Sequence, residues 1–391
     1  MANPEELLPR LADFDRKTRE DALRQLKQLA DEGLINVMPN RGWVNLHGHT
    51  FFSFNAYGFS PSRFLWEAYR LGLEMAGIVD FDVLDGLEET LTAAEILGIK
   101  AEVGLETRVF VREYADRVIN SPGEPGIAYI MGTGFYRPPE RGSRSEKILN
   151  SLRERAASRN ILIIRKVNQY LSPVVVDYEK DVLPLTPKGN ATERHILTAY
   201  DRKAAEIFAD STKRISFWVE ALKVSSGTIA EKIEKPHDFQ ELLRRRLMKG
   251  EGAGYIKPQP ETFPSLEEVV EMVELAGGVP TGAWLDGTSE VEKDPEEFVS
   301  FFKEKGMPFL NVIPDRNWNI KDPKEKAVKV SNFNALMAAA RKIGVPVIAG
   351  TEMNKYGQPV VDNFDAPELR PYLEDFRKGG RLLWEHTLNH K

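Results

Sequence analysis

Cysteine is missing from the 391-residue sequence, which excludes disulfides, thiolate zinc sites, iron–sulfur ligation and cysteine nucleophiles. Any metal must therefore be held by His, Asp, Glu or Asn. Histidine is scarce, with 6 residues, so two of them close together carry information. No stretch approaches the roughly 18 consecutive apolar residues of a membrane span. The opening MANPEELLPRLADFDRK places acidic residues early and has no apolar run behind a basic patch, unlike a secretory signal. The cytoplasm is the expected location, with no membrane partner. No glycine-rich phosphate loop followed by Lys-Ser or Lys-Thr occurs, so nucleoside triphosphate hydrolysis of that type is unsupported. Excess positive charge is also lacking: 53 basic against 59 acidic residues leave a net charge of −6, which argues against coating nucleic acid. The densest basic run, Arg244, Arg245, Arg246 and Lys249, reads as a solvated helix face.

What is present is a series of short apolar runs, at 43–46, 75–79, 101–111, 127–131, 279–284, 309–313 and 345–348. Helical patterns at 61–71, 87–97, 143–170, 265–275, 295–305 and 332–343 lie mostly between them. Strand–helix–strand repeats imply parallel neighbours. Residues 1–40 read as a charged, helical N-terminal extension, and 177–261 as a helical insertion with candidates at 192–210, 215–221 and 238–249. The β/α series then occupies 41–176 and 262–391, and segment 250–260, rich in Gly and Pro, reads as a loop. Periodicity does not choose between an open doubly wound sheet and a closed barrel. Polar residues do: His47 and His49 follow the first run, Asp80 and Asp82 the second, Glu106 interrupts the third and Glu352 follows the last. They would gather on the C-terminal face of a barrel. The expected fold is a distorted TIM-barrel-like (β/α)7 barrel with a helical insertion.

In Asn45-Leu46-His47-Gly48-His49-Thr50 the two imidazoles, two residues apart on an extended segment, project to one side and can converge on a cation. Glu106 and Glu352 sit among apolar strand residues, where an unpaired carboxylate is costly and a cation partner would account for it. A salt bridge to Lys or Arg would account for either equally well.

The order of these pieces resembles the polymerase and histidinol phosphatase (PHP) superfamily, particularly its small phosphoesterases, over about residues 43–354. The segment from Asn45 to Ser53 is similar to that family's first motif. Asp80-Phe81-Asp82 stands where the family has Asp-His-Asp, and Gly104-Leu105-Glu106 resembles its metal-bridging Gly-x-Glu. Glu193-Arg194-His195-Ile196 is similar to the segment that places a further metal-binding His at a helix start. Trp284 replaces the His of Ala-His-Pro, and Gly350-Thr351-Glu352-Met353-Asn354 sits where the family has Gly-Ser-Asp-x-His. The resemblance implies one metal held by His47, His49, Glu106 and Glu352. A second site keeps Glu106 and His195 but loses a ligand at Trp284. A third is absent, with Phe54 or Asn55, Phe81 and Asn354 at its places.

One divalent ion, zinc, manganese or iron, is therefore the expected cofactor. The chemistry it suits is hydrolysis of a phosphoester in a small, phosphorylated or sugar-like molecule, with Asp82 or His195 handling protons. Arg194, Lys257, Arg316 and Lys355 are candidate anion-binding residues, and Phe81 and Trp284 would give the site an aromatic mouth. The alternative is a catalytically degenerate ligand-binding or regulatory protein on the same fold, and metal-assisted isomerase or lyase chemistry fits less directly.

Overall fold

The computed structural model describes residues 3–250, 252–257 and 262–390. One sheet holds β1 (Trp43–Gly48), β2 (Leu73–Phe81), β3 (Lys100–Phe110), β4 (Ile127–Thr133), β5 (Val279–Trp284), β6 (Phe309–Val312) and β7 (Val347–Ala349), neighbours in sequence order. Each coincides with an apolar run expected to be a strand. β1 is buried along its whole length, as expected of a strand covered on both faces. The sheet is mixed, contrary to the all-parallel series that the repeats implied: β4 runs antiparallel to both β3 and β5. The reason lies in the β3–β4 connection, which contains a single helical turn, Arg112–Tyr114, and no helix able to carry the chain back for a parallel crossover.

The two edges meet beyond β7. Gly48 bridges Glu352 in parallel, with Glu352 N–H donating to His47 O at 2.8 Å and His49 N–H donating to Glu352 O at 2.7 Å. The sheet is thereby nearly closed into a barrel. The approach is tight enough that a Cβ on Gly350 would lie 2.4 Å from the His47 backbone nitrogen. Glu352 and Met353 adopt φ of 61° and 57°, a left-handed pair that turns the chain across the mouth of the barrel at a steric cost.

The N-terminal helices, Pro4–Arg10 and Arg16–Asp31, pack onto the barrel, and Leu7, Leu11, Leu23 and Leu26 join its core. They are tethered by buried Arg19, whose Nε donates to Glu89 Oε1 at 2.9 Å. A second apolar core runs from Ile163 to Met248 around Trp218, Tyr200 and Phe239. It starts within the helix Arg144–Leu171, whose earlier residues Ile148 and Leu152 belong to the barrel core. That one helix therefore ties the helical insertion to the barrel. Of the 250–260 segment, residues 251 and 258–260 lie outside the described residues, as does 261. Gly254 is not in an open loop: it is buried, and its N–H donates to Leu247 O at 2.7 Å.

Glu102 on β3 is buried, with Oε2 accepting from Gly134 N–H at 3.1 Å and Oε1 without a partner. Burial, only partly offset by that bond, pushes its carboxyl up to about 8. A folded pKa above the ordinary carboxylate value means that the folded state holds the extra proton between about pH 4.5 and 8, so stability falls as pH rises through that window. Glu102→Gln is expected to flatten this decline and raise Tm at pH 8 more than at pH 5, as differential scanning calorimetry would read. Equal shifts at both pH values would contradict it. Arg19→Met, which strands Glu89 in the interior, is expected to cost about 3–5 kcal/mol in urea unfolding.

Candidate metal centre

His47 and His49 lie at the C-terminal end of β1, two residues apart on one side of the strand, with ring centroids 5.2 Å apart. Glu106 faces them from β3. Strand β2 separates the two, and its last residue, Phe81, is level with Glu106. The three residues are buried, with His47 Nε2 at 3.3 Å and His49 Nε2 at 3.4 Å from the same oxygen, Glu106 Oε2. None of these three atoms has a hydrogen-bond partner in the protein.

The surroundings of His49 fix its tautomer. Ser53 Oγ donates to Asp80 Oδ1 at 2.6 Å, so at 3.2 Å from His49 Nδ1 it can only accept the ring N–H. Asp80 is held by two further donors, Thr50 N–H at 2.8 Å and Thr50 Oγ1 at 2.6 Å. Nδ1 therefore carries a proton, and Nε2 faces the Glu106 carboxylate; burial alone would lower the His49 pKa, but Glu106, together with Asp80 and Glu352, raises it. A buried carboxylate oxygen flanked by two imidazole nitrogens is balanced by ring protons or by a metal ion in their place. Ligand atoms placed tetrahedrally at about 2.1 Å from a zinc-sized ion would lie about 3.4 Å apart, which matches the two imidazole–carboxylate distances, and all three atoms lie within 4.8 Å of one another. The group His47, His49 and Glu106 thus fits a divalent metal. Burial alone would raise the Glu106 carboxyl, but the adjoining imidazoles outweigh it and hold it at about 2, so Glu106 is anionic. Phe81 stacks on His49, with centroids 4.4 Å apart, and closes one side of that ring.

Glu352, expected as a fourth ligand, is engaged elsewhere. Arg316 Nη2 donates to both of its carboxylate oxygens at 3.1 and 3.0 Å, and Gln358 Nε2 donates to Oε2 at 3.1 Å. The left-handed turn that carries the chain across the barrel mouth sets this residue beside Arg316. His195 uses one ring nitrogen as a cap: its Nδ1 accepts from Thr192 N–H at 3.1 Å and closes a capping box on the helix Glu193–Ile207. Burial lowers its pKa to about 4, so it is neutral at pH 7, and its ring lies edge-on to Phe54, with centroids 5.4 Å apart.

Of the three residues of the metal group, Glu106 lines a cavity of about 600 Å³ between the barrel and the insertion. Phe81, Asp82, Glu106, Arg194, Arg316 and Glu352 line it. Trp284, Lys257 and Lys355 do not. Trp284 is fully buried against Phe333, because the β5 pleat turns its indole into the core, and the two lysines are exposed. Asp82 is beside the metal group: its N–H donates to Glu106 O at 2.9 Å, and Oδ1 accepts from Thr107 Oγ1 at 2.6 Å. Burial raises its carboxyl above the usual range despite that bond. Its φ of 62° is left-handed, a strained conformation often found at functional sites. Arg194 lies over the Phe54 ring, 5.8 Å from the centroid, and ion-pairs with Glu241.

Two cavity residues that the sequence reading missed are Arg108 and Arg159. Arg108 was findable, since it follows Glu106 by two positions on β3 and so shares its face. Nothing in the sequence marks Arg159 within its long helix.

No protein-family model matches the chain, and no curated protein matches it by sequence. Solved structures do. One, described as a candidate metal-dependent phosphoesterase from Bifidobacterium adolescentis, aligns with a TM-score of 0.52 and 18% identity over 86% of this chain and 98% of its own. Another, an amidohydrolase from Chromobacterium violaceum with bound sulfate and no metal, aligns with a TM-score of 0.53 and 16% identity over 86% of this chain and 96% of its own. At these identities the likeness establishes a shared α/β barrel fold.

If the Asp80–Ser53–His49 chain orients the ligand, Ser53→Ala should weaken metal binding about 10- to 100-fold, read by competition with a chromogenic chelator. Unchanged affinity would show that the relay does not matter.

Proposed function

We propose that this protein is a metal-dependent hydrolase of the phosphoesterase type acting on a small cytoplasmic molecule. The observation that carries the reading is the convergence of His47 Nε2, His49 Nε2 and Glu106 Oε2, buried and without a hydrogen-bond partner, beside a cavity that Glu106 lines and that is large enough for a metabolite. A divalent ion, zinc, manganese or iron, held by these residues supplies Lewis acidity and lowers the pKa of water.

The chain's own residues then divide the remaining tasks. Asp82, whose carboxyl burial raises and which lines the cavity next to Glu106, is placed to pass a proton to a departing alkoxide. Arg316, kept charged by Glu352, and Arg194 orient the anionic group through guanidinium hydrogen bonds. Phe81 holds the His49 ring in plane and keeps water from its face. The two aligned hydrolase structures support the chemistry by analogy of fold.

The pairing of Glu352 with Arg316 favours one second reading. With three protein ligands the site can serve a binding or regulatory protein that has given up turnover.

Elemental analysis of protein grown with common divalent ions supplied separates these readings. The hydrolase reading expects about one equivalent of metal per chain, lost in His47→Ala, together with turnover of phosphate esters that chelator abolishes. Metal without turnover across a broad ester panel would favour the binding protein. Metal-free wild type would overturn both uses of the site.

A further inference from the structure

The cleft between barrel and insertion has a second lobe of about 450 Å³ that shares Arg108, Arg159, Glu193, Lys249 and Phe263 with the lobe at the metal group. The cations along this shared wall are mostly spoken for. Arg108 Nη1 pairs with Glu124 at 2.9 Å, while Arg244 and Lys249 both pair with Glu193, at 3.2 and 3.1 Å. Arg159 is the exception. Among the described residues its guanidinium makes neither an ion pair nor a hydrogen bond, although it lines both lobes and is half-buried.

The ring of Phe263 organises this arrangement. Arg108 and Arg159 both lie over it, with guanidinium carbons 4.8 and 5.5 Å from its centroid. Stacking fixes the planes of two like charges near each other, where they repel unless an anion joins them. Asp82 and Glu193 act on Arg159 electrostatically, but neither is within ion-pair distance. Burial and the neighbouring Arg108 both work against its charge, the direction in which its pKa moves. Retaining a cation under those conditions leaves an unmet demand for an oxyanion.

We propose that Arg159, assisted by Arg108, forms a second anion subsite in this cleft. It would take a phosphate- or carboxylate-type group of the substrate other than the one presented to His47, His49 and Glu106. The substrate class becomes a small molecule with two anionic groups, its body lying along Phe263, Phe54 and Tyr255 between the two lobes. This refinement rests on the hydrolase reading for the role of the metal end, while the subsite itself does not need the metal.

The test is calorimetric titration of inorganic phosphate into chelator-stripped wild type, Arg159→Met and Arg159→Lys, with circular dichroism and Tm confirming that each is folded. Phosphate should bind the metal-free wild type, at least tenfold more weakly to Arg159→Met, and with intermediate affinity to Arg159→Lys, which keeps charge but loses the guanidinium fork. Equal affinity in all three, or no binding to metal-free wild type at 10 mM phosphate, about the weak limit for a useful ion site, would overturn the subsite. If Arg159→Met does not fold, Arg159→Lys decides alone, and wild-type affinity in it is evidence against. Phosphate binding that persists in His47→Ala, which lacks the metal site, is expected. That result also separates this proposal from the hydrolase reading, because either can fail while the other stands.

Discussion

The site depends on the short bridge between Gly48 and Glu352. β1 and β7 are the two edges of the sheet, and left apart they would splay by the twist that accumulates from strand to strand. The paired bonds between His47, His49 and Glu352 backbone atoms pin those edges together at the residues that carry the imidazoles. Gly350 allows the approach because it has no Cβ to strike His47. The bridge aims both rings inward, and the β1–β2–β3 register then brings Glu106 level with them. A side chain at 350, or a one-residue slip of β3, would separate the ligand atoms by more than a metal can span.

The same closure gives Glu352 its role. The φ of 61° that completes the bridge sets the direction in which the Glu352 side chain leaves the backbone. Arg316, from the turn after β6, meets it and satisfies both oxygens. A lone buried carboxylate calls for a cation, and here that cation is a guanidinium. The sequence reading left metal and salt bridge open for each of Glu106 and Glu352. In the structure Glu106 faces the two imidazoles, and Glu352 is paired with Arg316.

That division shows what a sequence can carry. The seven strands, the side-by-side imidazoles and the burial of Glu106 were legible because each rests on a local period or on the cost of burying charge. The antiparallel β4 was not, since its direction depends on what is absent from the 111–126 connection rather than on the strand itself. Trp284 misled for a related reason. Its position in the pattern pointed to the cavity, whereas the pleat turned a large apolar ring to the core, where its burial is most favourable. His195 could be placed at a helix start, but its use as a cap is a three-dimensional bond to Thr192. Arg159 was invisible because its isolation is a property of neighbours that pair with one another across elements remote in sequence.

Charge in the cleft follows a single logic. At the metal end a buried carboxylate and two imidazoles converge, an arrangement that a metal cation completes. Along the Phe263 wall, positive charge converges without enough carboxylates, so the site demands an anion. Between the two lies Asp82, which burial inclines to keep its proton. It sits beside Glu106 on one side and acts on Arg159 from the other. A protein interior tolerates such unmet demands only where the molecule that satisfies them also lowers the free energy of the complex. In this fold the two demands open into one cleft, which makes the ligand's own charge distribution the complement of the site.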